Sequence, residues 1–181
     1  MFSVPLSFDR LQASSGFSRY ATPVVVAGAA AVAALVLLTA APDLGDWRLW
    51  MFGGLVLLGE LYPVDVPRRD GLDRVTTSTA FGFATLLLFG PLAAVLVYGG
   101  ASLVADATAR LAPLKALFNA AQYVLALVAA AGVMAWIGTD LPVSQLAGRL
   151  PAVAAGAVTF LAVNHVLAAH AVAPSRRLAR R

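Results

Sequence analysis

Apolar residues along this chain come in long unbroken runs, neither alternating as in a strand nor confined to one helical stripe. Six runs stand out, over 21–41, 47–64, 76–89, 91–109, 114–138 and 150–173. A helix rises 1.5 Å per residue, so about twenty apolar residues cross roughly 30 Å of hydrocarbon. The first, fifth and sixth runs meet that length, and the second and third fall short of it. Only Gly90-Pro91 separates the third from the fourth. Proline has no amide donor and turns the residue before it away from helix, so the pair predicts a tight helical hairpin. The backbone freed at that turn must be covered by neighbouring helices. The expected fold is all-α: a polytopic membrane bundle of about six transmembrane helices over 21–173. A cytoplasmic segment, 1–20, precedes it and a short tail, 174–181, follows.

Composition strengthens this reading. Of 181 residues, 60% are hydrophobic and 12% charged, against about half and a quarter in soluble domains. The polar stretches 1–20 and 64–79 are too short to form a domain. Cysteine is absent, which excludes disulfides, thiolate nucleophiles and zinc–thiolate sites.

The net charge of +4 matters through its placement. With a cytoplasmic N-terminus, six spans put Arg10, Arg19, Arg68, Arg69, Arg74, Arg110, Lys115, Arg176, Arg177, Arg180 and Arg181 inside. Only Arg48 and Arg149 fall outside. That asymmetry follows the positive-inside rule and predicts that both termini are cytoplasmic; losing one span would move the later basic groups outside. Trp47, Trp50 and Trp136 fall at the outer ends of their spans, as an interfacial aromatic belt requires. Thr39-Ala40-Ala41 resembles a signal-peptide cleavage site, but the preceding apolar run exceeds the roughly 7–15 residues of an h-region. A retained span is expected. The tail, Ser175-Arg176-Arg177-Leu178-Ala179-Arg180-Arg181, reads as a lipid contact or topology signal, with no nucleic-acid role.

Polar groups inside the runs gather toward the inner end. Glu60, Asp106, Asn119, Gln122, Asn164 and His165 form the candidate cluster, accompanied by Thr76–Thr79, Ser102, Tyr123 and His170. Ionisable residues within spans usually face the bundle or water, so a ligand or proton site is one reading. Hydrogen-bonded glue between helices is the other, with Lys115 and the arginines at headgroup level. His165 alone reads first as a satisfied packing histidine, and it is also the best single candidate for a pH-sensitive group. Ser102 lacks a nucleophile motif and no metal-ligand spacing occurs, so neither catalysis nor a metal or cofactor is expected. Gly99-Gly100 lies within a run and reads as a close-packing position.

The segments "GELYPVDVPRRDG", "VTTSTAFGFATLLLFGPLAAVL" and "ASLVADATARLAPLKALFNAAQYVLALVAAAG" resemble the membrane-associated sensor region that precedes HD-GYP phosphodiesterase or GGDEF cyclase domains in bacterial signalling proteins. The matching residues are Glu60, Pro63, Ser78, Ala80, Phe81, Phe89-Gly90-Pro91, Asp106, Lys115, Phe118-Asn119, Ala121 and Asn164. The likeness covers about Gly59 to Val172. It implies a non-enzymatic sensor in the bacterial inner membrane that passes a membrane or small-ligand signal to a cytoplasmic cyclic-dinucleotide output domain. Implied partners are the bilayer and that output domain or a homodimer partner. No HD pair, GGDEF or EAL motif occurs here, so such chemistry would belong to a domain outside these residues. A weaker likeness, carried by "FGPLAAVLVYGGASLVAD" and the six spans, is to substrate-binding subunits of energy-coupling-factor transporters. It implies a vitamin-like ligand bound on the outer side.

Overall fold

The computed structural model describes residues 15–68, 71–138 and 146–178, with side chains over 16–64, 76–138 and 148–171. Arg10, Arg69, Arg180 and Arg181 lie outside the described residues. Of Arg68, Arg74, Arg176 and Arg177 only the backbone is described.

Among the described residues five helices follow one another: α1 (Ser15–Leu38), α2 (Trp47–Leu61), α3 (Ser78–Thr108), α4 (Pro113–Ile137) and α5 (Leu146–Leu178). Between α2 and α3 the strands β1 (Val64–Arg68) and β2 (Gly71–Val75) pair antiparallel, with Val64 opposite Val75 and Arg68 opposite Gly71. This hairpin is absent from the expected fold. Val64, Val66, Leu72 and Val75 are too few and too interspersed with charge to signal strands in a chain dominated by long apolar runs.

Among the described residues four helical stretches are long and apolar enough to cross a membrane: Gly16–Leu38, Ser78–Thr108, Pro113–Ile137 and Gly148–Ala171. The chain is therefore a helical membrane protein. Ala21, Val24, Leu127, Ala130 and Phe160 are buried, whereas Val26, Leu37, Leu38, Val158 and Leu161 stay exposed. Such apolar surface suits lipid, where helices need no polar exterior.

The second of those stretches, α3, is not straight. Twenty residues of continuous helix would separate Ser78 from Tyr98 by about 30 Å, yet their hydroxyl oxygens lie 3.0 Å apart. A Cβ on Gly82 would lie 2.8 Å from the Tyr98 ring. The helix thus folds back at Gly90, whose φ of 83° and ψ of 176° interrupt it. The arms 78–89 and 91–108 run antiparallel, as Gly90-Pro91 led one to expect.

Helix α4 is the centre of the bundle, packing against α1, α3 and α5, while α2 packs on α3. Small residues permit the closest crossings. A Cβ on Gly28 would meet the Ala121 side chain at 2.7 Å, and one on Gly59 would meet the Ser78 amide nitrogen at 2.6 Å. At the opposite end, Asp46 caps α2, its carboxylate accepting from the Arg48 amide at 2.9 Å and pairing with the Arg48 guanidinium at 2.8 Å. Those hydrogen bonds hold the Asp46 carboxyl below the ordinary carboxylate value. Trp47, Trp50 and Trp136 are exposed.

Gly90 occupies a region of positive φ and extended ψ that is nearly closed to other residues. Gly90→Ala should lower stability by about 1–3 kcal/mol, although its Cβ would find open space. Gly100→Ala, equally uncrowded but helical, should be neutral or slightly stabilising. Thermal or SDS unfolding of the purified variants in mild detergent measures the difference.

Candidate functional site

Helix α2 brings Glu60 to the bundle interior because Gly59 beside it has no side chain to hold the first residue of α3 away. The Ser78 hydroxyl donates to Glu60 Oε1 at 2.5 Å and lies 3.0 Å from the Tyr98 hydroxyl, which the Thr79 hydroxyl also approaches at 3.2 Å. Ser78 and Tyr98 have no exposed surface. Tyr98 comes from the second arm of α3, so the turn at Gly90 is what delivers it. Its ring stacks on Tyr123 of α4 at 4.3 Å and, more distantly, on Phe160 of α5 at 6.4 Å. The Tyr123 hydroxyl interacts with Tyr98 and Thr76. One connected group therefore joins α2, both arms of α3 and α4, with an aromatic contact to α5.

Two further links lie beside it. The Asn119 amide donates to Asp106 Oδ2 at 2.9 Å, tying α4 to α3, and the charge of Lys115 acts on the same carboxylate. The Gln122 amide donates to Asn164 Oδ1 at 2.6 Å and to the Asn164 carbonyl at 3.0 Å, tying α4 to α5. Tyr20 closes the circuit, its hydroxyl donating to the Leu167 carbonyl at 3.1 Å across α1 and α5.

The six residues singled out from sequence do not join in one hydrogen-bonded group, although the charge of Asp106 acts on Glu60. Glu60 belongs to the Ser78–Tyr98 group, Asp106 to Asn119, and Gln122 to Asn164. Asn119, Gln122 and Tyr123, one to two turns into α4, do not turn to one neighbour. Asn119 and Tyr123 turn to α3, while Gln122 turns to α5. His165 stands outside all three links. Its ring is exposed on the bundle exterior, with Nδ1 2.9 Å from the Leu161 carbonyl of its own helix. Adjacency to Asn164 misled, because neighbours in a helix point about 100° apart. Ser102 is buried in the second arm of α3. Arg19 and Arg110 are exposed and Lys115 is half-buried.

Tyr98, the hub, escaped sequence reasoning because a tyrosine in an apolar run reads as packing. Its signal was the hairpin itself. Folding at Gly90 places 82 opposite 98, a glycine opposite an aromatic, with Ser78 one turn further along.

Serine, threonine and tyrosine hydroxyls both donate and accept. The chain from Glu60 through Ser78 to Tyr98 can therefore reverse its direction when the carboxyl gains or loses a proton. Among the described residues no group of three or more His, Cys, Asp or Glu side chains could hold a metal ion. Compared with protein families, curated proteins and solved structures, the chain matches none.

Removing the Tyr98 hydroxyl leaves Ser78 and Thr79 short of a partner, so Tyr98→Phe should cost about 1–3 kcal/mol. Glu60→Gln should cost less, since its amide oxygen still accepts from Ser78. In a double-mutant cycle Ser78→Ala and Tyr98→Phe should couple by about 0.5–3 kcal/mol. Strict additivity in detergent unfolding would show that these hydroxyls do not act as a unit.

Proposed function

We propose that this chain is a sensor module of the bacterial inner membrane, with six spans and both termini in the cytoplasm. It passes a membrane or small-ligand signal to a cytoplasmic cyclic-dinucleotide output domain. The observation that carries this reading is the buried Glu60–Ser78–Tyr98 group. Polar groups in a membrane interior are costly, and a linked set is a natural element with two hydrogen-bonding arrangements. Through Tyr123 and the Gln122–Asn164 bond on α4, that group is connected to α5. Helix α5 has 33 residues, or about 50 Å of helix, and so outruns the hydrocarbon. A rearrangement at Glu60 would reach the cytoplasm as a movement of that helix.

The charges support the orientation. Arg19, Arg110 and Lys115 share the end of the bundle that holds Glu60, while Arg48 shares the other end with Trp47 and Trp50. Two of the six segments are short, α2 at about 22 Å and the first arm of α3 at about 18 Å. The turn at Gly90 then lies below the outer headgroups, beside Phe52 and Phe89, whose rings are 6.1 Å apart.

The transport reading draws less support. A cleft of about 480 Å³ runs between α2 and the second arm of α3, but its walls are Leu44, Trp50, Leu57, Val97 and other apolar or glycine residues. It offers a polar vitamin almost nothing to orient against.

The test is a fusion through Arg181 to a GGDEF reporter domain, with cyclic-dinucleotide output measured at equal membrane abundance. If the network biases two helix arrangements by about 1–2 kcal/mol, Glu60→Gln and Tyr98→Phe should change output by about five- to thirty-fold. Unchanged output from both, and from Asp106→Asn and Asn119→Leu, in well-folded protein would sink the sensor reading. Strong activity of a periplasmic reporter at Arg181 would sink the cytoplasmic C-terminus.

A further inference from the structure

The cleft between α2 and the second arm of α3 is apolar, narrow and about as deep as one leaflet. Both helices start near the Trp47–Arg48 end and run side by side, with Trp50, Gly53, Gly54 and Leu57 along one wall. The other wall extends from Ala93 to Val104, eleven residues apart or about 16 Å of helix. Half of a hydrocarbon core roughly 30 Å thick has about the same depth. The mouth lies at the link between α1 and α2, where Pro42 and Leu44 line it.

Among the described residues no close contact accounts for the glycines in these walls. Gly28, Gly59, Gly82 and Gly156 each have a neighbour that a Cβ would meet at 2.6–2.8 Å. Gly54 and Gly100, one from each wall, have no atom within 4 Å of that position, and Gly53 has ordinary contact with Val97 at 3.6 Å. Glycine inside a helix is destabilising relative to alanine, so close packing within the chain is not what Gly54 and Gly100 serve. Their effect is to widen the cleft.

The width decides between occupants. A volume of about 480 Å³ spread over about 16 Å of helix gives a slot roughly 6 Å across. A helix with its side chains is about 10–12 Å across, so a second copy of this chain cannot seat one there. Water needs about two to four polar partners, and these walls are apolar side chains and glycine. Trp50 Nε1, their one polar side-chain atom, already donates to the Leu44 carbonyl at 2.8 Å. A single hydrocarbon chain, whose carbons pack at about 4 Å, fits both the width and the length.

The rim supplies the other half of such a molecule. Arg48 is exposed, and Asp46 engages its Nε and Nη2, which leaves Nη1 to donate to a phosphate. Asp43, in the link between Pro42 and Leu44, is exposed too and offers a carboxylate to an ammonium. A cation and an anion beside the mouth of an apolar slot match a zwitterionic phospholipid. We propose that the cleft holds one acyl chain of a phosphatidylethanolamine-type lipid from the leaflet at the Arg48 end, with its phosphate on Arg48 and its ammonium on Asp43. Such a lipid binds whether or not the protein is a sensor.

In native mass spectra of protein extracted in mild detergent, a phospholipid should stay on the chain. Gly54→Leu together with Gly100→Leu fills the cleft from both walls and should remove it, with the unfolding temperature unchanged or raised. A second measurement leaves the cleft intact. With Trp47→Phe and Trp136→Phe, at exposed positions, Trp50 is the only tryptophan and reports from the cleft wall. Titrated into micelles of lipid-stripped protein, brominated-chain phosphatidylethanolamine should quench Trp50 and saturate at about one lipid per chain. Asp43→Asn should weaken that binding about two- to fivefold and leave binding of brominated phosphatidylglycerol unchanged. Quenching that rises without saturating would overturn the proposal, as would a lipid retained equally after Gly54→Leu and Gly100→Leu. A lipid-free dimer that the same two substitutions disperse would give the cleft to a second copy instead. Unchanged affinity in both Arg48→Gln and Asp43→Asn would overturn the headgroup assignment.

Discussion

The fold-back at Gly90 is the constraint on which the rest of this bundle hangs. Inside hydrocarbon, backbone groups left without partners cost several kcal/mol, so a turn between helices is normally kept at the surface. Here the turn is made by a residue that can adopt φ 83° and ψ 176°, followed by proline, which has no amide to satisfy. The break therefore releases fewer donors than another pair would. What it achieves is reach. It brings Tyr98 from a position about 30 Å up a straight helix to within 3.0 Å of Ser78, and so assembles a polar group that touches both arms of α3 and α2 together.

Both acidic residues of the interior obey one arrangement. Glu60 sits in the last turn of α2 and Asp106 in the last turn of α3, ends where the helix dipole disfavours a negative charge. Each is held by the start of the following helix, where the dipole favours it. Ser78 opens α3 and donates to Glu60. Asn119 stands in the second turn of α4 and donates to Asp106, with Lys115 in the first turn adding its charge. Because consecutive helices are antiparallel, the end of one always lies beside the start of the next. The acids use that adjacency. Separating α2 from α3, or α3 from α4, would leave a carboxylate facing its own helix's negative end in a poor solvent for charge. Each acid thus makes its helix pair specific as well as stable.

Much of this was legible in the order of residues. Run lengths and Gly90-Pro91 located the helices and the hairpin, because hydrocarbon thickness and the missing proline amide are hard limits. The grouping of Glu60, Asp106, Asn119, Gln122 and Asn164 toward one end was legible for the same reason, since depth follows from counting residues along a span. Rotation about the helix axis was not. Depth placed His165 with Asn164, but one residue's turn sends the former outward and the latter to Gln122. Tyr98 was missed on a related ground. Its partners are set by the crossing of two arms, and only the missing side chain at Gly82 hints at it. The short β-hairpin at 64–75 left almost no signal, because two strands with no sheet to join have no apolar face to bury.

Arg110 shows a cost that packing does not explain. It closes α3 in the left-handed region, with φ 55°. Its amide bonds to the Ala107 carbonyl, and that of Leu111 to the Asp106 carbonyl, both at 3.0 Å. That is the hydrogen-bond pattern of a helix end which glycine usually occupies. A side chain there costs about 1–2 kcal/mol of backbone strain, and Arg110 is exposed, so burial returns nothing. What the side chain brings to the position is a charge. The link between α3 and α4 has only residues 109–112, of which Ala109, Leu111 and Ala112 bring none. The strained position is where that turn carries a cation, two turns of helix from Asn119 and beside the helix end that bears Asp106. A backbone that accepts strain to keep arginine at this end of the bundle is what the positive-inside rule asks of the proposed orientation.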